Sequence, residues 1–228
     1  MRSGDVWVSQ LVAVLLLPVI LVMLSLLFVV VTALQGRPFF YASERMRDSK
    51  TPFRLYKIRT MTPVETSEEM VLGGHLRSRI TPVGRVLRRT RLDELPQIFN
   101  VLRGDIGFIG PRPPLRRHVE ACPTRYRHVL DAARPGITGL STVMVHHREE
   151  RLLSRCTSAA ETEAVYLAHC LPLKLRLDLL YAENRGVLLN LLILWRTFAR
   201  LIPKPATRRC MAPPRRILAD PSEPSIAA

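Results

Sequence analysis

Two adjacent carboxylates, Asp93 and Glu94, stand in the run Thr90-Arg91-Leu92-Asp93-Glu94-Leu95-Pro96, and a proline-flanked arginine follows in Gly110-Pro111-Arg112-Pro113. Paired acids can hold Mg²⁺, and a carboxylate can itself attack phosphorus. A guanidinium fork can bind two phosphate oxygens at once. With further arginines at Arg85, Arg88, Arg89 and Arg91, these residue types suit phosphate chemistry. On spacing alone a helix cap is the plainer reading of Asp93, and a Gly/Pro loop with one arginine is often only a turn. A second such loop, Arg134-Pro135-Gly136-Ile137-Thr138-Gly139, makes the chemical reading harder to set aside.

The elements that must position these residues are partly marked. Leu95, Ile98, Phe99 and Leu102 follow a helical i, i+3, i+4, i+7 stripe that Gly104 ends, and Pro96 requires a start near Asp93. That puts both acids at the positive end of a helix dipole, where the arginines are expected to favour the ionised form of Asp93. Thr81-Pro82 reads as an N-cap followed by proline at the first helical position. Upstream, Phe53 to Thr60 alternates apolar and basic residues like a strand, with Leu55, Lys57 and Arg59 on one face and Asp48-Ser49-Lys50 as a hairpin turn before it. A solvated edge strand is the plainer account of those charges.

Residues 62–79 read as a polar loop, and Gly107 to Pro114 as too rich in Gly and Pro for regular structure. Residues 149–200 read as helical. Tyr181 to Ile202 forms one strongly amphipathic stretch, suited either to covering a core or to lying among lipid headgroups. From Pro203 onward no apolar period survives, and a disordered tail is expected over 203–228.

Before Arg37 the only charges are Arg2 and Asp5, which cancel, so the whole formal net charge of +15 lies beyond the N-terminal segment. So basic a region seeks polyanions. Leu11 to Leu34 carries no charge, and at about 1.5 Å per residue it is long enough to cross a bilayer core of roughly 30 Å. Length alone favours a plain span. Pro18, however, removes a backbone hydrogen bond within the run, and a kinked helix could return to the same face. Arg37, Arg45, Arg47 and Lys50 place the C-terminal flank on the cytoplasmic side. The four cysteines, Cys122, Cys156, Cys170 and Cys210, form no CxxC pair and read as reduced thiols; the six histidines show no zinc spacing.

Phe53 to Met61, Thr81 to Gly110, Pro111-Arg112-Pro113 and Arg134 to Gly139 together resemble the bacterial sugar transferase family, the monotopic polyprenyl-phosphate phosphoglycosyl transferases. Lys174 to Asn190 resembles the family's closing helix, so the resemblance covers roughly residues 10–200. It implies a mainly α fold with a small β-hairpin: a re-entrant membrane helix over 1–36 and a compact cytoplasmic catalytic domain over 37–202 with amphipathic interfacial helices. The implied location is the bacterial inner membrane, with the catalytic domain facing the cytoplasm. The implied reaction transfers a sugar-1-phosphate from a nucleotide diphosphate sugar to undecaprenyl phosphate, initiating polysaccharide (exopolysaccharide) or glycoconjugate synthesis. By the same resemblance Asp93 is the nucleophile and touches Mg²⁺, and Glu94 assists the second transfer or the metal. Lys57, Arg59, Arg88, Arg112 and Arg134 correspond to basic positions that contact phosphates or brace the acids. Inner-leaflet lipid is an implied partner, nucleic acid is not, and a homodimer stays open.

The chain departs from the family twice. Leu17-Pro18 stands where the family has Ser-Pro at the helix break, and Leu140 to His147 replaces the usual Trp-x-Gln-Val-x-Gly-Arg run, which bears on the sugar and base. The alternative reading is a non-catalytic membrane-tethered polyanion-binding or scaffold protein. Few aromatics accompany the arginines at 77–91, so a base-stacking surface is poorly supported.

Overall fold

A computed structural model describes residues 4–63 and 79–199. The polar loop expected at 62–79 and the tail from Pro203 fall largely or wholly outside the described residues. Helix α1 (Gly4–Gln35) is followed by strands β1 (Phe40–Met46) and β2 (Pro52–Ile58), then helices α2 (Pro82–Thr90) and α3 (Gln97–Leu102). Strand β3 (Gly107–Ile109), helices α4 (Arg116–Ala121) and α5 (Pro123–Ala132) and strand β4 (Gly136–Thr138) come next. Helices α6 (Leu140–Leu153), α7 (Ala159–Val165), α8 (Leu171–Asn184) and α9 (Val187–Ala199) complete the described chain.

The hairpin forms as its sequence suggests. Asp48 Oδ1 accepts from the amides of Lys50 (2.9 Å) and Thr51 (2.7 Å), closing the turn. The strands pair antiparallel from Phe40 opposite Ile58 to Met46 opposite Pro52. The outer edge of β2 is not left to water. Asn100, fully buried, takes the Tyr56 amide on Oδ1 at 3.1 Å and donates from Nδ2 to the Arg54 carbonyl at 2.7 Å. One side chain thereby stands in for a neighbouring strand.

Thr81 caps α2 as expected, its Oγ1 accepting the Gly84 amide at 2.8 Å, and Pro82 occupies the first turn. Gly107 to Pro114, expected to lack regular structure, instead contains β3, which pairs in parallel with β4. The glycines that argued against a strand are what permits it. A Cβ on Gly110 would collide with the Arg134 carbonyl, one on Gly136 with the Gly110 amide, and one on Gly139 with the Gly110 carbonyl. The two Gly/Pro loops are therefore a single structural unit. The stretch expected as one amphipathic helix over Tyr181 to Ile202 is divided: α8 ends at Asn184, and α9 starts anew at Val187 after Arg185-Gly186.

Val6–Gln35 is long and apolar enough to cross a membrane, and the helix continues through Pro18. Ala13, Leu17, Ile20, Leu24, Leu27 and Val31 form one stripe, spaced by threes and fours, against Leu55, Ile58, Leu87, Ile98 and Val101. The rest of its surface is exposed and apolar, as at Leu15, Val22 and Leu26. Both ends are tied to the same domain. Gln10 Nε2 donates to the Leu102 carbonyl at 3.0 Å, while Gln35 Nε2 donates to the Arg59 carbonyl at 2.7 Å. Helix α9 likewise seats Ile193 inward and leaves Val187, Leu188, Leu191, Trp195 and Phe198 exposed.

Close backbone approach yields a first expected outcome. Gly84 lies within a helix, where alanine ordinarily stabilises by about 1 kcal/mol. A Cβ at this position would strike the Thr60 carbonyl. Gly84→Ala is therefore expected to lower the thermal midpoint of the detergent-solubilised protein; an unchanged or raised midpoint would show that the packing of α2 on residue 60 can relax.

Candidate active site

Asp93 and Glu94 occupy a 3-10 turn, Leu92–Glu94, ahead of α3 rather than the first turn of an α-helix. Pro96, at the N-cap of α3, separates the two elements. Both acids are buried, at 6% and 8% relative exposure, but their surroundings differ. Glu94 Oε1 faces Arg112 Nη2 at 2.9 Å, Arg91 Nη1 at 3.3 Å and Lys57 Nζ at 3.5 Å. Burial alone would raise the Glu94 pKa, but Arg112, Lys57 and Arg91 together overcome it and hold the group at about 2. Glu94 is thus a fixed anion. Lys57 is lowered to about 8, by burial first and by Arg112 second, against the opposing pull of Glu94.

Asp93 Oδ1 is enclosed without a hydrogen-bond partner among the described residues. Its pKa is raised, not lowered as the neighbouring arginines had led us to expect. Burial is the largest cause; Lys57 pulls the other way, Glu94 adds to the rise, and Arg88 and Arg112 oppose it more weakly. The correction has a physical basis: most of the local positive charge is directed at Glu94, and desolvation dominates what Asp93 experiences.

Of the five basic residues singled out in the sequence, three gather here. Lys57 comes from β2 and Arg112 from the loop after β3. Arg88, on the last turn of α2, donates from Nε to Thr60 Oγ1 at 2.8 Å, and its charge acts on Asp93. Arg59 is engaged elsewhere, its Nη2 donating to the carbonyls of Gln35 (2.6 Å) and Gly36 (2.8 Å) at the end of α1. Arg134 lies against Gly104, close to Gln10 of α1, where the charge of Asp105 acts on it. The structure does not bring either of these two to the acids.

Three participants were missed. Arg91 has a left-handed backbone, φ 60° and ψ 14°, which costs about 1 kcal/mol for a residue with a Cβ. Lys174 and Glu149 pair at 2.8 Å between α8 and α6. With Arg91, Arg112, Thr142, His146 and Glu150 they line a cleft of about 260 Å³ beside Glu94. Lys174 also reaches the Tyr166 hydroxyl at 3.4 Å, in a π-helical turn (Tyr166–Cys170) between α7 and α8. Only the run of arginines around position 91 hinted at any of this, because the cleft's far wall is more than fifty residues away in sequence.

Mg²⁺ can be weighed against this donor set. Among the described residues no three of His, Cys, Asp and Glu gather into a metal cage. One unengaged, enclosed carboxylate oxygen on Asp93 does fit a cation that retains waters and takes its other ligands from substrate phosphates.

The Glu94 cluster carries a stability consequence. Its carboxyl pKa is depressed from 4.5 to about 2. The associated stabilisation is therefore fully present above about pH 4.5 and is lost as pH falls through 2. Glu94→Gln, which strands three cations, is expected to destabilise the protein by about 3 kcal/mol at neutral pH. The gap to the parent should close toward pH 2 in chemical denaturation. A gap independent of pH would show that the effect comes from packing rather than charge.

The chain is similar to several known proteins. A UDP-glucose:undecaprenyl-phosphate glucose-1-phosphate transferase of Klebsiella pneumoniae is 33% identical over 172 residues, covering 73% of this chain and 35% of its own. A putative undecaprenyl-phosphate N-acetylgalactosaminyl 1-phosphate transferase of Bacillus subtilis (strain 168) is 40% identical over 112 residues, 49% of this chain and 60% of its own. The exopolysaccharide production protein ExoY of Sinorhizobium fredii is 32% identical over 157 residues, 61% of this chain and 66% of its own. The chain spans only about a third of the length of the Klebsiella relative. The family described as bacterial sugar transferase matches residues 1–204, which include α1, both acids and the cleft, and the chain belongs to that family.

Proposed function

We propose that this chain is a phosphoglycosyl transferase that moves a sugar-1-phosphate from a nucleotide diphosphate sugar to undecaprenyl phosphate through an aspartyl intermediate. The observation that carries the reading is the contrast between the two acids. Glu94 is neutralised by three cations, while Asp93 keeps an enclosed oxygen with no hydrogen-bond partner among the described residues. An unengaged carboxylate oxygen is what a nucleophile requires, and the cations beside it suit the charge of a transferring phosphoryl group.

In the first step an Asp93 oxygen attacks the phosphorus that bears the sugar. The P–O bond to the nucleotide's inner phosphate breaks, nucleoside monophosphate leaves with that electron pair, and Asp93 becomes an acyl phosphate carrying the sugar. In the second step a phosphate oxygen of undecaprenyl phosphate attacks the same phosphorus, the acyl–O–P bond breaks, and Asp93 returns as a carboxylate. Lys57, Arg88 and Arg112 are the residues we assign to charge on the phosphoryl oxygens. Glu94 fixes Lys57 and Arg112 in place and assists the second transfer. Asp93 would hold Mg²⁺, which when bound offsets negative charge on the donor's phosphates.

The same reading places both ends of α1 on the cytoplasmic face of the inner membrane, making the chain monotopic, with α9 at the lipid surface. Support comes from the ties at Gln10 and Gln35 to one domain. These residues lie about 38 Å apart along a helix, more than a hydrocarbon core's thickness of roughly 30 Å. A simple span would carry Leu102 and its neighbours across the bilayer with Gln10. A single cysteine at Trp7, in a background lacking native cysteines, is expected to resist impermeant thiol reagents applied outside spheroplasts. Rapid external labelling would establish a spanning helix instead.

Asp93→Asn tests the chemistry. The amide preserves size and can still hydrogen-bond, so folding and membrane attachment should persist, but it is a poor nucleophile. Release of nucleoside monophosphate from a panel of nucleotide sugars with undecaprenyl phosphate and Mg²⁺ should fall at least about a thousandfold, some 4 kcal/mol in the barrier. The covalent adduct seen by intact mass with donor alone should disappear. Glu94→Gln, where it folds, should still form the adduct. Near-parental turnover in Asp93→Asn would make the aspartate a structural residue of the turn and overturn the aspartyl intermediate, whereas no turnover in the parent would leave the chain a binding or scaffold protein.

A further inference from the structure

Arg91 is the only non-glycine residue with a positive φ among the described residues. It ends α2 and opens the 3-10 turn that carries both acids. A helix stop of this geometry is ordinarily glycine or asparagine, because a left-handed backbone presses Cβ toward the following carbonyl. Here the position holds a long cationic side chain, and the requirements of the turn do not explain it. Nor does its ion pair. Arg91 Nη1 is 3.3 Å from Glu94 Oε1, but that oxygen already receives Arg112 at 2.9 Å and Lys57 at 3.5 Å. Arg91 helps to hold that oxygen, but less strongly than Arg112 and Lys57 do.

What remains is the cleft. Arg91 and Arg112 line the 260 Å³ space together with Thr142, His146, Glu149 and Glu150 of α6 and with Lys174 of α8. Lys174 is paired with Glu149, whereas Arg91 and Arg112 share a single carboxylate oxygen with Lys57. Glu149 and Glu150 also line the cleft, so its charge is mixed, but Arg91 and Arg112 present two guanidinium forks in one partly enclosed place, which an anion with several oxygens would complete. The volume suits a diphosphate but not a whole nucleotide sugar, so the ends of such a molecule would extend past the rim.

We infer that Arg91 is a donor-binding residue of this chain, gripping with Arg112 the diphosphate of the nucleotide sugar in the cleft against α6. The inference rests on the donor chemistry proposed above. It also accounts for the strained backbone: the left-handed turn directs the side chain past Glu94 into the cleft, whereas a right-handed residue there would continue α2. The phosphate of the lipid acceptor offers similar chemistry, and the test separates the two sources.

Arg91→Gly removes the side chain while placing at φ 60° the residue most at ease there, so the fold should persist with an unchanged or higher thermal midpoint. With the full chain in detergent, binding of inorganic pyrophosphate measured by calorimetry should weaken roughly tenfold or more. KM for the donor, measured with UDP-glucose and with UDP-N-acetylgalactosamine, should rise by a similar factor, with most of the loss in KM rather than kcat. KM for undecaprenyl phosphate should stay within about twofold. Arg91→Lys should recover only part of the loss, since it keeps the charge without the fork. Equal pyrophosphate affinity in parent and Arg91→Gly would overturn the inference. So would a rise confined to the acceptor's KM, which would put the lipid phosphate at Arg91. If the parent turns over no nucleotide sugar and yet binds pyrophosphate through Arg91, the transferase reading fails and the diphosphate site stands.

Discussion

A single carboxylate oxygen, Glu94 Oε1, joins three separate parts of the chain. Lys57 reaches it from β2, Arg91 from the end of α2 and Arg112 from the loop after β3. Cations so enclosed are tolerated only where an anion stands beside them, and an anion so buried only where it is well compensated. Each side of the cluster therefore requires the other, and the three segments are held in one relative position. The consequence for Asp93 is indirect. Because its neighbour draws in most of the nearby cations, Asp93 is left with an enclosed oxygen that has no hydrogen-bond partner among the described residues. Two adjacent acids of near-identical chemistry acquire different characters from their surroundings.

That arrangement needs Arg112 to emerge from a rigid backbone, and the two glycine-rich loops supply one. Gly110, Gly136 and Gly139 let main chains approach where any side chain would collide, so that β3 and β4 pair in parallel behind the arginine. Asn100 performs a comparable task for Lys57 by occupying the free edge of β2. The cleft's far wall is held separately, by Lys174 between Glu149 and the Tyr166 hydroxyl.

The site is also coupled to the apolar helix. Arg59 and Gln35 exchange hydrogen bonds at the end of α1, two residues beyond Lys57 on the chain. The stripe from Ala13 to Val31 packs against Leu55, Ile58 and Leu87, and these lie on the elements that carry Lys57 and Arg88. Movement of α1 would therefore be transmitted to residues beside the acids. Such coupling suits a reaction whose proposed substrates come from water on one side and lipid on the other.

Local features were legible in the sequence because their causes are local. The Thr81 cap, the Asp48 turn, the hairpin strands and the apolar stripe of α3 each depend on residues a few positions apart, and each formed as read. The candidate acids and Arg112 could be named from residue types and family resemblance. What each acid experiences could not. The partners of Glu94 lie 37 positions upstream at Lys57 and 18 downstream at Arg112, and the cleft adds Lys174 from α8. Spacing likewise could not show that Arg59 would be taken up by α1, that Arg91 would adopt a left-handed backbone, or that two loops would pair as strands. Charge composition showed that anions would be sought. Only the folded chain decided which cation faces which acid, because desolvation and Coulomb attraction depend on distances across segments that the sequence keeps far apart.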